Sequence, residues 1–293
     1  MKKNLKKFKN PLSLIIIVII TIALFVSEAG CLFQDRTDSQ LKIPDGSMTV
    51  SFVDVGQGDC IFARLPNNEI MLVDCGEYSE RDAVCDFLDR ENVKKIDYLV
   101  ATHPHVDHMG GMSHIIKKYD IGSFFMPDTE SDTNAFIYML EALDEKNIQS
   151  NIVRAGDMIF ESDSFRCEVI SPVLDSYEET NDFSVVLRLT CGEKSFLLTG
   201  DAETYAEKHI KSDVSADVLK VGHHGSITST SEEFLEKVNP KYAVISCGKD
   251  NSYGHPHKEI IDILNKYNIQ VYRTDISGTI TFFCDGKTVE VID

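Results

Sequence analysis

The chain has 293 residues, with 47 Asp or Glu against 29 Lys or Arg and a formal net charge of −18 at pH 7. A composition of 43% hydrophobic and 26% charged residues excludes a disordered or collagen-like chain. The acidity argues against a protein that holds nucleic acid through a broad basic surface, and the length suits one large domain or two small ones.

Five lysines (Lys2, Lys3, Lys6, Lys7 and Lys9) open the chain, and an apolar run from Leu12 to Val26 follows, broken only by Ser13 and Thr21. A basic stretch before a short apolar core is the layout of an export signal or an N-terminal anchor, with the lysines on the cytoplasmic side. Cys31 follows Ala29-Gly30, a small pair similar to a bacterial lipoprotein processing site, although Glu28 stands where an aliphatic residue is usual. Lipidation at Cys31, an uncleaved anchor and cleavage near the same place all fit. Residues 1–31 are therefore read as a signal peptide or membrane anchor, and the rest as lying outside the cytoplasmic membrane. Without residues 1–30, 24 basic and 46 acidic residues remain, a net charge of −22.

Residues 32–47 are polar and read as a tether to a domain over 48–293. The domain opens with strands at Met48–Asp54, Cys60–Leu65 and Glu69–Asp74, the last two joined by a turn at Pro66-Asn67-Asn68. Ser79–Glu91 has helical spacing, and Ile96–Thr102 is a buried strand that runs into a His/Asp-rich loop and a helix to about Tyr119. A strand at Ser123–Met126 and a helix at Thr133–Lys146 close the first half. Strands resume at Met158–Phe160, Phe165–Ser171, Ser184–Thr190 and Ser195–Thr199. Helices at Ala202–Ile210, Ser231–Val238 and Lys258–Tyr267 then alternate with strands at Val218–Val221, Ala243–Ser246 and Val271–Arg273. Two more strands, Thr279–Cys284 and Thr288–Ile292, end the chain. Each half gives strands first and strand/helix alternation second, a pattern that two mixed sheets packed face to face with helices outside would satisfy. The eight cysteines contain no CxxC pair and mostly lie in apolar runs, so they read as buried small hydrophobes rather than a disulfide framework.

The strongest chemical signal is Thr102-His103-Pro104-His105-Val106-Asp107-His108, three imidazoles and a carboxylate directly after an apolar strand. Such a loop can aim His103 and His105 at one metal ion while Asp107 and His108 turn to a second. Two ions roughly 3.5–4 Å apart can clamp an attacking water and a leaving oxygen. Asp59, just after Gly58, is placed to orient that loop or a ligating histidine, as carboxylates behind metal sites do. Asp201 ends the strand before it, where its two oxygens can bridge cations or cap the following helix. His223-His224 follow another apolar strand, and one of them should complete a metal's shell while the other faces substrate. His255 shares a loop with Lys249, Asn251 and Tyr253, where it can be a ligand, a general acid or a phosphate contact. Lys249 and Asn251 are candidate substrate contacts, and His257 starts the next helix.

These blocks resemble the metallo-β-lactamase fold, whose hallmark is HxHxDH, and within it the hydrolase domain of the competence protein ComEC and its stand-alone relatives. The similarity runs through Asp54-Val55-Gly56-Gln57-Gly58-Asp59-Cys60, Leu72-Val73-Asp74-Cys75-Gly76, the His loop and Leu198-Thr199-Gly200-Asp201. It continues through Leu219-Lys220-Val221-Gly222-His223-His224-Gly225-Ser226 to Tyr253-Gly254-His255-Pro256-His257. The resemblance implies a four-layer αββα sandwich of two mixed sheets (α/β, α+β) and two divalent metal ions, Zn or Mn. It implies His103, His105, Asp107, His108, Asp201 and His224 as ligands, His223 facing substrate, and Asp74 supporting the His loop. Many members carry another histidine between the loop and the bridging aspartate, but none occurs here between His114 and His209. That region reads Asn181-Asp182-Phe183-Ser184, as is typical of the competence branch. One metal is then left with His103, His105, Asp201 and solvent, with Asp182 or Asn181 as helpers, an oxygen-richer site that favours Mn.

The expected activity is hydrolysis of a phosphodiester, as a phosphodiesterase or nuclease. Asp107 and Asp201 would orient a water, His223 and Lys249 would neutralise developing charge beside a cleft that Lys220 also makes positive, and His255 would protonate the leaving group. The partners expected are a phosphodiester, DNA included, and the membrane through the N-terminal segment. A net −22 resists tight holding of DNA, so small or wall-linked phosphodiesters stay in view. A non-catalytic metal-binding surface module is the reading from a different class, and the motifs differ from those of true β-lactamases.

Overall fold

Along most strands of this chain apolar residues alternate between two faces, and that alternation builds two sheets with a shared interior. The computed structural model describes Pro44 and residues 46–292. The signal or anchor expected at 1–31, Cys31 and most of the tether lie outside the described residues. The strands of the first half are β1 (Met48–Phe52), β2 (Ile61–Arg64), β3 (Ile70–Val73), β4 (Lys95–Val100), β5 (Asp120–Met126) and β6 (Ser150–Ile152). Those of the second are β7 (Met158–Glu161), β8 (Phe165–Ser171), β9 (Val186–Cys191), β10 (Lys194–Leu198), β11 (Val218–Lys220), β12 (Tyr242–Ile245), β13 (Gln270–Arg273), β14 (Ile280–Cys284) and β15 (Val289–Ile292). The helices are α1 (Arg81–Arg90), α2 (Val106–Met109), α3 (Met112–Lys118), α4 (Asn134–Glu145), α5 (Thr204–His209), α6 (Glu232–Val238), α7 (Lys258–Lys266) and α8 (Thr274–Ser277).

One sheet has the order β15-β14-β1-β2-β3-β4-β5-β6 and the other β13-β12-β11-β10-β9-β8-β7. Both are mixed: β3 to β6 run parallel in the first and β10 to β13 in the second, with antiparallel pairs elsewhere. Inward-facing Val50, Phe52, Met71 and Val73 meet Leu187, Leu189, Phe196 and Leu198 between the sheets. Phe282 packs edge-on against both Phe52 and Phe196, with ring centroids 6.0 Å apart in each case. The outward faces bury against helices: Phe62, Leu72 and Leu99 under α1, α3 and α4, and Leu197, Leu219 and Ala243 under α5, α6 and α7. Each such buried side chain contributes about 1.5–3 kcal/mol of apolar transfer, and only this stacking hides all four apolar faces at once. The result is the expected αββα sandwich.

The helix expected from the His loop to Tyr119 is split into α2 and α3 at Gly110-Gly111. A Cβ at Gly111 would lie 2.5 Å from the Cys75 carbonyl oxygen, so the chain there is pressed against the end of β3 and only glycine fits. Strand β6 escapes sequence reading because its three residues are all exposed and show no alternation. The seven described cysteines are buried and unpaired, as their surroundings in sequence predict. Among the described residues no helix is long and apolar enough to cross a membrane.

Candidate metal centre

The parallel strands of both sheets deliver their carboxyl ends to one edge of the sandwich, the usual place for a site in parallel sheets. Asp74 follows β3, Thr102–His108 follow β4, Asp201 follows β10, His223-His224 follow β11 and Ser246 follows β12. Backbone bonds hold these ends together: Asp74 N donates to Val100 O, Cys75 N to His108 O, and Val185 N crosses between the sheets to Thr102 O. The Asp54–Asp59 loop closes on them from above. At Gly58, with φ of +133°, a Cβ would fall 2.1 Å from Asp107 O, and Asp59 N donates to that same oxygen at 3.2 Å.

The side chains converge on one atom. Asp201 Oδ2 lies 3.2 Å from Nε2 of His108, 3.3 Å from that of His224, 3.8 Å from that of His223 and 3.9 Å from that of His103. His224 Nε2 is also 3.3 Å from Asp107 Oδ2, and His105 Nδ1 is 3.1 Å from His103 Nε2. The inner nitrogens are aimed by what grips the outer ones, the arrangement that fixes the tautomer of a ligating histidine. Asp74 accepts from His108 Nδ1 at 2.7 Å and from the Thr102 amide and hydroxyl at 2.9 and 2.6 Å. His224 Nδ1 donates to Ser246 O at 2.9 Å. His103 Nδ1 lies 3.1 Å from Thr102 Oγ1 and 3.3 Å from Ser184 Oγ, and that serine hydroxyl accepts from Asp201 N.

This donor set fits divalent metal. Asp107, His108, Asp201 and His224 each offer one atom within 4.8 Å of all the others, and buried Asp201 Oδ1 has no hydrogen-bond donor. The titration behaviour points the same way. Burial alone would discharge every imidazole here. At His103 it does, lowering the pKa well below its usual value with help from the charge on His108. At His108 and His224 the carboxylates overcome burial: Asp201, Asp74 and Asp107 raise the first well above its usual value, and Asp201, Asp107 and Asp59 raise the second to about 9. Asp107 and Asp201, in turn, stay ionised against their own burial because of those two imidazoles. Two protons therefore balance the carboxylates where a divalent cation would do the same.

Lys220, expected to add positive charge to the cleft, is instead wholly buried. Its Nζ is 2.6 Å from Asp59 Oδ2 and 3.9 Å from Asp201 Oδ1, and it donates to Gly200 O at 3.1 Å. The cause is local: β11 is buried along its whole length, so this side chain has no route to solvent. A lysine in a strand buried on both faces requires an acidic partner inside, a signal that was readable in Val218-Leu219-Lys220-Val221. Asp59 lies 3.6 Å from His224 Nδ1 and is paired with Lys220.

An open cleft of about 350 Å³ leads to the centre, lined by His105, Asp107, His223, His255 and Tyr253 among others. His224 is buried, whereas His223 is 24% exposed, and both line the cleft. His223 Nδ1 is held by Glu203 Oε1 and Thr228 Oγ1, both at 3.1 Å, a pairing that sequence reading missed. The His255 ring lies 5.5 Å from that of His223; burial, and then the charges of His224 and His223, push its pKa down to about 4. Four further expected contributors have partners or surroundings of their own. Asn251 spends its side chain on its own loop, donating to Gly248 O and His255 O and accepting from the amides of Tyr253 and His255. Lys249 lines a neighbouring depression with Asp54, Glu80 and Asp275 rather than the cleft. Asp182 Oδ1 accepts from the Glu203 and Ala206 amides at the start of α5, and Asn181 donates to Glu203 while its buried Oδ1 has no hydrogen-bond partner. His257 precedes α7 as expected.

An αββα sandwich with a His/Asp cluster at the carboxyl ends of its strands defines a class of candidate metalloproteins. Residues 53–249 match the Metallo-beta-lactamase superfamily, and the chain belongs to it. It is 33% identical over 253 residues to ComE operon protein 3 of Bacillus subtilis, covering 80% of this chain and 32% of that protein. It is 30% identical over 249 residues to Recombination protein 2 of Haemophilus influenzae (82% and 30% covered) and 28% identical over 244 to Competence protein ComA of Neisseria gonorrhoeae (82% and 33%). The chain thus spans about a third of the length of these relatives. Among solved structures, the metallo-beta-lactamase fold protein YhfI of Bacillus subtilis superposes with a TM-score of 0.55 at 11% identity, over 81% of this chain and 99% of that one. Igni18, a metallo hydrolase of Ignicoccus hospitalis, gives 0.51 at 14% identity, over 80% and 98%. Within the superfamily, the chain is thus similar to competence-associated proteins.

Two outcomes follow from the electrostatics. Lys220→Met strands Asp59 and Asp201 without their cation and should cost about 3–5 kcal/mol in urea unfolding. Asp59→Asn added to it should recover part of that loss, and an unshifted midpoint for the single variant would show the pair to be worthless. In metal-stripped protein the His224 pKa of about 9 exceeds the usual 6.5. Its stabilisation is therefore complete below pH 6.5 and is lost as pH rises towards 9, on the order of 3 kcal/mol. Thermal unfolding in EDTA should show that decline, and His224→Asn should flatten it; a rise in stability over the window would contradict the assignment.

Proposed function

We propose that this domain is a metal-dependent phosphodiesterase of nuclease type, acting outside the cytoplasmic membrane to which residues 1–31 direct or anchor it. The observation that carries the reading is the placement of four imidazole Nε2 atoms within 3.9 Å of Asp201 Oδ2 at the foot of an open cleft. His103, His105 and Asp201 would hold one divalent ion, Zn or Mn, and Asp107, His108, Asp201 and His224 a second. Bound there, such ions supply Lewis acidity and an activated water for attack at phosphorus.

The chain's own groups then divide the work. Asp107, kept ionised by His108 and His224, orients the attacking water. His223, anchored through Nδ1 by Glu203, presents Nε2 to the phosphoryl oxygens and, when protonated, offsets their growing charge. His255 is held neutral, which suits it to hydrogen-bond the substrate more than to deliver a proton; that delivery falls to His223. No lysine or arginine lines this cleft, and the whole chain carries −18. Positive charge is thus confined to the centre itself, which favours short, small or wall-linked phosphodiesters over a long duplex.

The test is turnover of bis-p-nitrophenyl phosphate, single-stranded DNA and nitrocefin with Mn²⁺ or Zn²⁺. Metal-dependent cleavage of the phosphodiesters and none of nitrocefin is expected. Asp107→Ala should lower kcat by about 10²–10⁴ and His223→Gln by about 10²–10³, the latter with metal content unchanged. Bound metal without turnover of any substrate would overturn the reading in favour of a binding module.

A further inference from the structure

Next to the metal cleft runs a larger groove of about 730 Å³, within the size range of ligand sites. It is continuous with the cleft, since Val106 and Thr133 line both. Val106 stands between His105 and Asp107 and leaves 44% of its surface exposed. The walls carry two tyrosines from separate elements: Tyr78 from the 3₁₀ turn before α1, 54% exposed, and Tyr138 from α4, 52% exposed. Tyr78 is fixed in place, with the Arg81 guanidinium 4.1 Å from its ring centroid and donating to its carbonyl.

The groove is lined by one cation, Lys117, two carboxylates, Asp132 and Glu141, and His114, so its fixed charge is slightly negative. Lys117 is itself paired with Glu145 at 3.1 Å. Such walls do not attract a phosphate; they suit a flat, uncharged ring joined to the phosphate that the centre holds. On the other side of the cleft Tyr253, 64% exposed, stacks on His255 with centroids 5.6 Å apart. Exposed tyrosine rings therefore flank the candidate reaction centre, Tyr78 with one face covered by Arg81 and Tyr253 with one covered by His255.

We infer that this groove is a subsite for the nucleobases of a single-stranded nucleic acid, stacked on Tyr78 and Tyr138 while the adjoining phosphate lies at the centre. The inference deepens the phosphodiesterase reading and rests on it for the position of the scissile bond. A duplex buries its base faces within its own stack and could not use these walls, whereas a single strand offers them, and base–tyrosine stacking is sequence-tolerant. Base stacking also explains how so acidic a chain can hold a polyanion: affinity comes from rings rather than from basic side chains.

The experiment measures fluorescence anisotropy of a labelled oligothymidylate and of an abasic deoxyribose-phosphate oligomer of equal length. It uses the full-length protein loaded with Ca²⁺ in place of Mn²⁺ or Zn²⁺, so that the centre keeps its positive charge while cleavage is slowed. The unsubstituted protein should prefer the base-bearing strand by roughly 5- to 100-fold. Tyr78→Ala/Tyr138→Ala should reduce the preference to about twofold or less, and Tyr78→Phe/Tyr138→Phe should retain it, because stacking needs the ring and not the hydroxyl. Equal binding of the two oligomers, or a base preference that survives the double alanine change, overturns the subsite. Should the alanine variant not fold, the comparison of the two oligomers on unsubstituted protein decides alone. Base-dependent binding in a protein with no phosphodiester turnover would sink the proposed activity and leave the groove; turnover without base preference would do the reverse.

Discussion

Taking a carboxylate fully out of water costs several kcal/mol unless opposite charge or hydrogen-bond donors meet it. Of the carboxylates buried among the described residues, Asp59, Asp74 and Asp201 gather at one edge of the sandwich. Asp201 is the hub. Its Oδ1 is turned towards buried Lys220, and its Oδ2 towards a ring of imidazoles. Every other feature of the site is intelligible as a means of keeping that carboxylate in place and supplied with positive charge. Asp74 aims His108, Ser246 O aims His224, Ser184 joins His103 to the Asp201 amide, and Asp59 holds the lysine.

The fold supplies the rigidity this requires. Apart from Asp59, each contributing residue stands one to eight positions beyond a parallel strand that packs into the core, so the strand ends have little freedom. The two sheets are tied across the site itself by the bond from Val185 N to Thr102 O, and His223 N donates to Gly200 O beside the hub. A centre assembled from both sheets is therefore as well fixed as the core between them, while His223, His255 and Tyr253 line the open side where substrate must enter.

Much of this was legible in the sequence, because the signal is local. His103, His105, Asp107 and His108 crowd one strand end, and Asp201 and His223-His224 each close an apolar run, so chemistry and topology are written in the same few residues. What escaped was whatever depends on partners distant in the chain. Lys220 reads as a surface charge until β11 proves buried and Asp59, 161 positions earlier, proves to be its partner. Glu203 reads as part of a helix start, and only the folded chain brings it to His223 Nδ1. Asn251 has the composition of a substrate contact, yet its amide is consumed in closing its own loop. The split between α2 and α3 depends on the approach of Gly111 to the Cys75 carbonyl, a tertiary contact that helical periodicity does not encode.

The missing third histidine of many superfamily members takes on a physical meaning here. Its neighbourhood is occupied by Ser184, which spends its hydroxyl on His103 and the Asp201 amide, and by Asp182, which caps a helix. The half of the centre built on Asp107, His108, Asp201 and His224 is accordingly the better furnished, and the half on His103 and His105 leans on Asp201 alone among the carboxylates. The direct measurement is anomalous diffraction from metal-loaded crystals at the Mn and Zn edges. The account predicts two peaks beside Asp201 Oδ2, the stronger within reach of His108 and His224 Nε2 and Asp107, the weaker beside His103 and His105. Loaded crystals with no anomalous peak next to Asp201, or with metal bound elsewhere, would contradict it.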